Sequence, residues 1–384
     1  MKRLIIPAVM AVLAFLSACA TDRGAVNDFT SPEEPEETSA GRPGNSGTSS
    51  VLILESLPPQ ASKRRRRTYP WPESYEAAYA YRNDKADIQV ARLPQYVSSL
   101  RINDPPAYVR QAAAYITRNA KNSFDKVKKI HDFVTLTIRY DADAFLADRK
   151  TPQDYASVLK SGLALGDGYA NVLKRFCDVL GIECEVIYGY GRGAGFSPFA
   201  NERPGNTNHA WNIVFIDDAG YLIDCTWDAG NLRDGSFHQG YTTDYLFLRP
   251  EYFIYSHFPE NPRQQLLEKP LSRADFSRLP LFRPKYFETF SAKDGSLAKI
   301  LRAAGKTELD FSAKAGFTPN VEVYDETGNN KLEHLAFVQK NRDLYRVLLT
   351  FPTPKNYVVK FFIHEQTTRS SEPCAEFGVI STGG

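Results

Sequence analysis

An α+β fold followed by an all-β unit is what this chain predicts, and three patterns carry that expectation. Between Tyr108 and Ile138 the apolar residues recur at steps of three and four, the period of amphipathic helices. From Cys184 onward, CEVIYGY, HAWNIVFI and YLIDCTW are rich in β-branched and aromatic residues and are separated by turn residues, so they predict strands. Helices first and an antiparallel sheet second is the α+β order. After Lys306, the runs ELDFSA, NVEVYD, HLAFVQ, YRVLLTF, NYVVKFFIHE and EFGVIS follow one another at turn-separated intervals, which predicts a small β-sandwich. At 384 residues the chain exceeds what one hydrophobic core usually serves. A net charge of +2, from 47 basic and 45 acidic residues, gives no electrostatic reason to expect nucleic acid as a partner.

The N-terminus, MKRLIIPAVMAVLAFLSACATD, has two basic residues, an apolar run from Leu4 to Leu16, and then Leu16-Ser17-Ala18-Cys19. The run is too short to span a bilayer stably, and the small residues before a cysteine predict a secretory signal ending in a lipobox. A bacterial lipoprotein cut before Cys19 is therefore expected, with acyl chains on Cys19 anchoring it to a membrane of the cell envelope. Ala20 and Thr21, not aspartate, directly follow Cys19, which favours an outer membrane where there is one. The expected division is residues 1–18 as signal peptide, 19–68 as lipidated tether, 69–285 as the α+β domain and 286–384 as the β-sandwich.

From Ala20 to about Ser62 the composition is Ser, Gly, Pro, Glu and Thr, with one apolar interruption at Val51-Leu52-Ile53-Leu54. A coil of that length spans about 35 Å. The run Lys63-Arg64-Arg65-Arg66-Arg67 closing it reads as a solvated charge cluster before it reads as a headgroup contact. Asn122-Ser123 offers a cap to the second helix, Tyr155–Leu180 predicts a further helical region, and Gly181 is its stop. Residues 267–284 form a proline-containing connector, and SLAKILRAA predicts a short helix ahead of the sandwich. Besides Cys19 there are four cysteines, Cys177, Cys184, Cys225 and Cys374, with no CxxC-type metal spacing; an exported chain could pair two of them or none.

His209 and Asp224 hold the most chemical interest. They lie fifteen residues apart on a predicted hairpin, a parity that sets both side chains on one face. Cys225, next to Asp224, then points to the other face. A base oriented by a carboxylate is the back half of a nucleophilic site. The preceding loop, GRGAGFSPFANERPGNTN, carries Arg192, Phe196, Phe199 and Arg203 and is long enough to predict a binding loop. His131, His238, His257, His334 and His364 show no mutual spacing that suggests a metal, and they are expected to be structural or exposed. No metal and no cofactor is expected.

KVKKIHDFVTLTIRYD, SGLALGDGYA, NHAWNIVFIDDAGYLIDCTWDAG and YLFLRPEYFIYSHFPENPRQQLL occur in that order between Pro106 and Phe282. Together they resemble the transglutaminase-like superfamily, and within it the branch related to kyphoscoliosis peptidase. The resemblance implies a papain-like core of helices packed on an antiparallel sheet, with a cysteine nucleophile at a helix N-terminus served by a His–Asp pair. It implies His209 and Asp224 in those roles; Tyr169, Asn208 and Trp211, with Phe196 and Phe199 of the preceding loop, are the expected binding residues. The family pattern near SGKGVCxGYA aligns without gaps with SGLALGDGYA, so Gly166 stands where the resemblance places the cysteine.

Cys177 lies eleven residues along the same predicted helix, about 16 Å from its start. Cys184 reads as core, and Asp167 would leave the helix from a different point. The expected function is therefore a lipid-anchored envelope protein whose transglutaminase-like domain is catalytically inactive and binds protein or peptide partners. The alternative is an active peptidase or acyl transferase using an unrecognised nucleophile.

Overall fold

The computed structural model describes residues 72–193, 195–202, 206–292, 297–342, 344–366 and 371–383. Cys19, the tether, the basic run at 63–67 and Arg203 lie outside them. No helix among the described residues is long and apolar enough to cross a membrane.

The two expected helices are Pro105–Thr117 and Ser123–Thr137. The first begins with prolines at its N-terminal turn and is capped by Asp104, whose carboxylate accepts from the Ala107 N–H at 3.0 Å. Asn122 caps the second by accepting from the Asp125 N–H at 2.9 Å. The further helical region consists of Tyr155–Ser161 and Gly166–Val179. Gly162 takes a left-handed φ of 74° between them, and the short strand Leu163–Ala164 pairs in parallel with Arg139–Tyr140. Gly181, with φ 68°, stops the later helix as expected.

A five-stranded antiparallel sheet receives the Gly166–Val179 helix, in the order Leu246–Leu248, Ala219–Ile223, His209–Ile216, Cys184–Gly191, His257–Pro259. Val172, Leu173 and Phe176 of that helix join Val127, Ile130 and Val134 of the preceding one and Val214, Tyr221 and Ile223 of the sheet in one apolar core. The central hairpin turns at Asp217-Asp218, whose φ values of 51° and 64° fit a two-residue type I′ turn. Its second strand ends at Ile223, four residues short of the end of the predicted YLIDCTW strand. Asp224 leaves the sheet to cap the one-turn helix Cys225–Asp228, with Oδ1 accepting from the Thr226 N–H at 2.8 Å and the Trp227 N–H at 3.2 Å.

Two sheets around a separate apolar core make the expected sandwich. One runs Phe290–Ala292, Lys306–Ala313, Leu344–Thr350, Ala336–Asn341. The other is built on Ser371–Ser381 and Asn356–Glu365, and it takes in Leu281–Phe282, ahead of the boundary expected at 286. SLAKILRAA does not supply the expected helix. Ile300–Ala303 is a strand lying parallel to residues 378–381, because a sheet edge with unpaired backbone groups outbids a helix too short to hold itself.

The loop after Gly191 is a clasp. The Arg192 guanidinium, 1% exposed, meets Glu202 in two parallel hydrogen bonds of 2.7 and 2.8 Å. It also donates to the carbonyls of Phe276 at 2.8 Å and Leu279 at 2.9 Å, while Lys299 reaches the same Glu202 carboxylate at 2.7 Å. These bonds tie the loop to the connector and the sandwich. Phe196 is half-buried, with the Arg192 and Lys299 cations 5.3 and 5.9 Å from its ring centre. Phe199 lies against the last strand, where a Cβ on Gly378 would fall 2.7 Å from its Cζ. Neither phenyl ring is presented as free ligand-binding surface.

Candidate active site

His209 opens its strand opposite Gly189, a position fixed by the residue before it. The Asn208 carboxamide accepts from the Gly191 N–H at 2.7 Å and donates to the Gly191 carbonyl at 3.2 Å, so this side chain clamps backbone to backbone. Trp211, two residues along the same face, is 1% exposed. Tyr169 is fully buried, and its hydroxyl donates to the Ile138 carbonyl at 2.9 Å. Of the residues expected to bind, Tyr169 and Trp211 therefore build the interior behind the site. Asn208 sets its entry.

The expected pair is formed. His209 Nε2 lies 2.6 Å from Asp224 Oδ2, and the imidazole stacks on Trp227 at 5.3 Å between centroids. Both residues face one side as the parity argument requires, although Asp224 does so from a helix cap. A second imidazole joins them, which no spacing in the chain foretells. His257 Nε2 lies 3.1 Å from the same Asp224 oxygen, and its Nδ1 lies 2.8 Å from Ser256 Oγ. Thirty-three residues separate His257 from Asp224, and only the pairing of the His257–Pro259 strand with Cys184–Gly191 brings it in.

Burial alone would raise the Asp224 pKa, but the charge and hydrogen bonds of His209, together with those of His257, hold it well below the usual carboxylate range. It is therefore the acceptor for both imidazoles. Burial among Trp211, Trp227, Tyr245 and Phe253 lowers His257 to about 4 against the pull of Asp224, so it is neutral near neutral pH and donates its Nε2 proton. His209 donates Nε2–H to Asp224, and in its neutral form Nδ1 is left as an acceptor.

Gly166 is what Nδ1 faces. It is the first residue of the Gly166–Val179 helix, buried and without a positive φ. A Cβ built there would lie 2.6 Å from His209 Nδ1 and 3.0 Å from Cε1. The helix start is held in place by Gln153, whose Oε1 accepts from the N–H groups of Leu165 at 2.8 Å and Gly168 at 3.1 Å. A base and its orienting carboxylate thus address a residue with no side chain.

Cys177, Cys184, Cys225 and Cys374 are free thiols, and all are buried. A hydrogen bond with Cys184 together with burial pushes Cys177 well up, and burial does the same to Cys225. Neither is poised as a thiolate. Cys225 begins the one-turn helix and packs in the main core, so it is not the strand residue the sequence predicts. Asp167 is half-buried beside the site, where burial raises its pKa against the opposing pull of His209.

A further His–Asp group braces the site from behind. His131 Nε2 lies 2.9 Å from Asp228 Oδ2, and Asp132 receives Lys128 Nζ at 2.7 Å and the Tyr241 hydroxyl at 2.6 Å. It fastens the Ser123–Thr137 helix to the turn that carries Asp224. His131 was expected to be structural or exposed; it is fully buried.

Residues 110–223 match the family model of the transglutaminase-like superfamily core, the segment holding the site helix, the His209 strand and the hairpin. The chain thus carries a transglutaminase-like superfamily core at these residues. It is 24% identical to the kyphoscoliosis peptidase of Mus musculus across 78% of this chain and 48% of that protein. A LIM and transglutaminase domain protein of Caenorhabditis elegans is 29% identical across 45% of this chain and 25% of its own length. Hillarin of Drosophila melanogaster is 27% identical across 42% and 21%. The chain spans about half the length of the kyphoscoliosis peptidases it matches. The likeness is thus to transglutaminase-like proteins related to kyphoscoliosis peptidase.

Proposed function

We propose that this chain is a lipid-anchored cell-envelope protein whose transglutaminase-like domain has lost covalent chemistry and retains a surface that binds protein or peptide chains. The observation that carries this reading is the contact between Gly166 and His209. The backbone at the helix start stands so close to Nδ1 that even a methyl group would overlap the imidazole. A glycine offers no nucleophile, and each described cysteine is buried. Binding is supported by the rim. Leu163, just before the site helix, is 41% exposed, and Tyr188, paired with Ala210 beside His209, is 42% exposed.

The deciding experiment incubates purified protein with unstructured peptide substrates and, separately, with a glutamine-containing protein and a labelled primary amine. Neither cleavage nor amine incorporation is expected. Turnover abolished by Asp167→Ala would name Asp167 as the nucleophile and replace the inactive reading with an active one.

The anchoring half rests on Leu16-Ser17-Ala18-Cys19. Cys19→Ser removes the thioether acceptor, and several acyl chains hold a protein on a membrane where one does so only marginally. The wild-type chain is expected in the detergent phase of a cloud-point separation and the mutant in the aqueous phase. Equal partitioning of the two would remove the lipid anchor from the proposal.

A further inference from the structure

We propose that His209, Asp224 and His257 constitute a binding site for one divalent transition-metal ion of the zinc class. Each residue offers a ligand atom, and the three atoms lie within 4.8 Å of one another. Both imidazoles point Nε2 at one oxygen, Asp224 Oδ2, at 2.6 and 3.1 Å. With zinc–ligand bonds of about 2.0–2.1 Å, a tetrahedral site needs its ligand atoms about 3.3 Å apart. Each imidazole thus has to open from the carboxylate by less than about 1 Å for the ion to replace the shared protons.

From a neutral imidazole the proton passes from Nε2 to Nδ1 and the freed Nε2 lone pair goes to the ion, whereas an imidazolium gives its Nε2 proton to solvent water. At His257 the Nδ1 proton has a partner in place, Ser256 Oγ at 2.8 Å, the orienting contact that metal-bound histidines characteristically keep. At His209 no side chain from residue 166 claims Nδ1. The second Asp224 oxygen is fixed by the Thr226 and Trp227 N–H groups, which leaves Oδ2 as the oxygen offered. Two nitrogens and one carboxylate oxygen select zinc, cobalt, nickel or iron(II) over calcium or magnesium, which prefer all-oxygen shells. His257 and Asp224 are buried, while the His209 side chain is 10% exposed, so the ion and a fourth, water ligand enter past His209.

The test uses the full-length chain, stripped with a chelator and dialysed. It is titrated with zinc chloride in a calorimeter and with cobalt(II), whose visible bands report coordination. One equivalent of each metal is expected, with cobalt bands of tetrahedral or five-coordinate intensity. His209→Ala, at the partly exposed ligand, should lose the stoichiometric site while keeping the wild-type far-ultraviolet circular dichroism. Ser256→Ala should weaken zinc about 10–100-fold. His238→Ala, on the exposed face of the Ser236–Gln239 strand, should bind as wild type. Two results overturn the proposal: the absence of one-equivalent binding to the wild-type chain, or undiminished binding by folded His209→Ala. Should His209→Ala fail to fold, the Ser256 variant still decides the matter.

Discussion

Glu202→Ala is expected to cost about 3–5 kcal/mol of stability, the range for removing one member of a buried ion pair. Its carboxylate is the anion between two cations, the Arg192 guanidinium and Lys299, and all three side chains are at least 90% buried. Without it, Arg192 keeps its donations to the carbonyls of Phe276 and Leu279, but two positive charges then face each other in an apolar setting. The cost is the uncompensated charge, and the hydrogen bonds are the smaller part. Glu202→Gln, which keeps acceptors and loses the charge, should therefore fall between wild type and Glu202→Ala. Urea unfolding of the three proteins checks this through the midpoint at unchanged slope. A loss below about 1 kcal/mol for Glu202→Ala would mean that the clasp does not hold the loop to the sandwich.

That clasp also marks where reading the sequence reaches its limit. A glycine- and proline-rich stretch of this length has the composition of a binding loop, and nothing local reveals that Arg192 closes onto residues ten and then more than eighty positions away. His257 is hidden for the same reason. Its approach to Asp224 depends on which strand lies at the sheet edge, and a strand order leaves no periodicity in the chain. What was legible was local or pairwise. The Asn122 cap, the Gly181 stop and the Asp217-Asp218 turn are written in the residues that make them. The shared face of His209 and Asp224 follows from the parity of one tight hairpin, even though Asp224 had already left the strand. The Ile300–Ala303 strand went the other way, since four residues of ambiguous period take whatever conformation the neighbouring sheet edge rewards.

Restoring a side chain at the centre of the site, Gly166→Cys, is expected to have two coupled effects. The backbone permits the change, because Gly166 sits in a helix without a positive φ. The space does not. The new Cβ would fall 2.6 Å from Nδ1 of a ring that is held by Asp224 and stacked on Trp227, so the imidazole must give way as a body. Overpacking of this kind costs about 1–3 kcal/mol. A thiol at a helix N-terminus beside an imidazole also has its pKa lowered, so it should react with iodoacetamide at neutral pH faster than an ordinary exposed cysteine of pKa about 8.5. Truncating the ring separates the two effects. In Gly166→Cys with His209→Ala, the overlap disappears and the destabilisation caused by the cysteine should shrink, while the rate advantage at neutral pH should shrink with it. The checks are a double-mutant cycle in unfolding free energy and the alkylation rate against pH for both cysteine variants. An alkylation rate in folded Gly166→Cys equal to that of an exposed thiol, and indifferent to His209, would show that residue 166 is not the nucleophile position. Additive stabilities would show that the helix start and the imidazole do not meet as the structure places them.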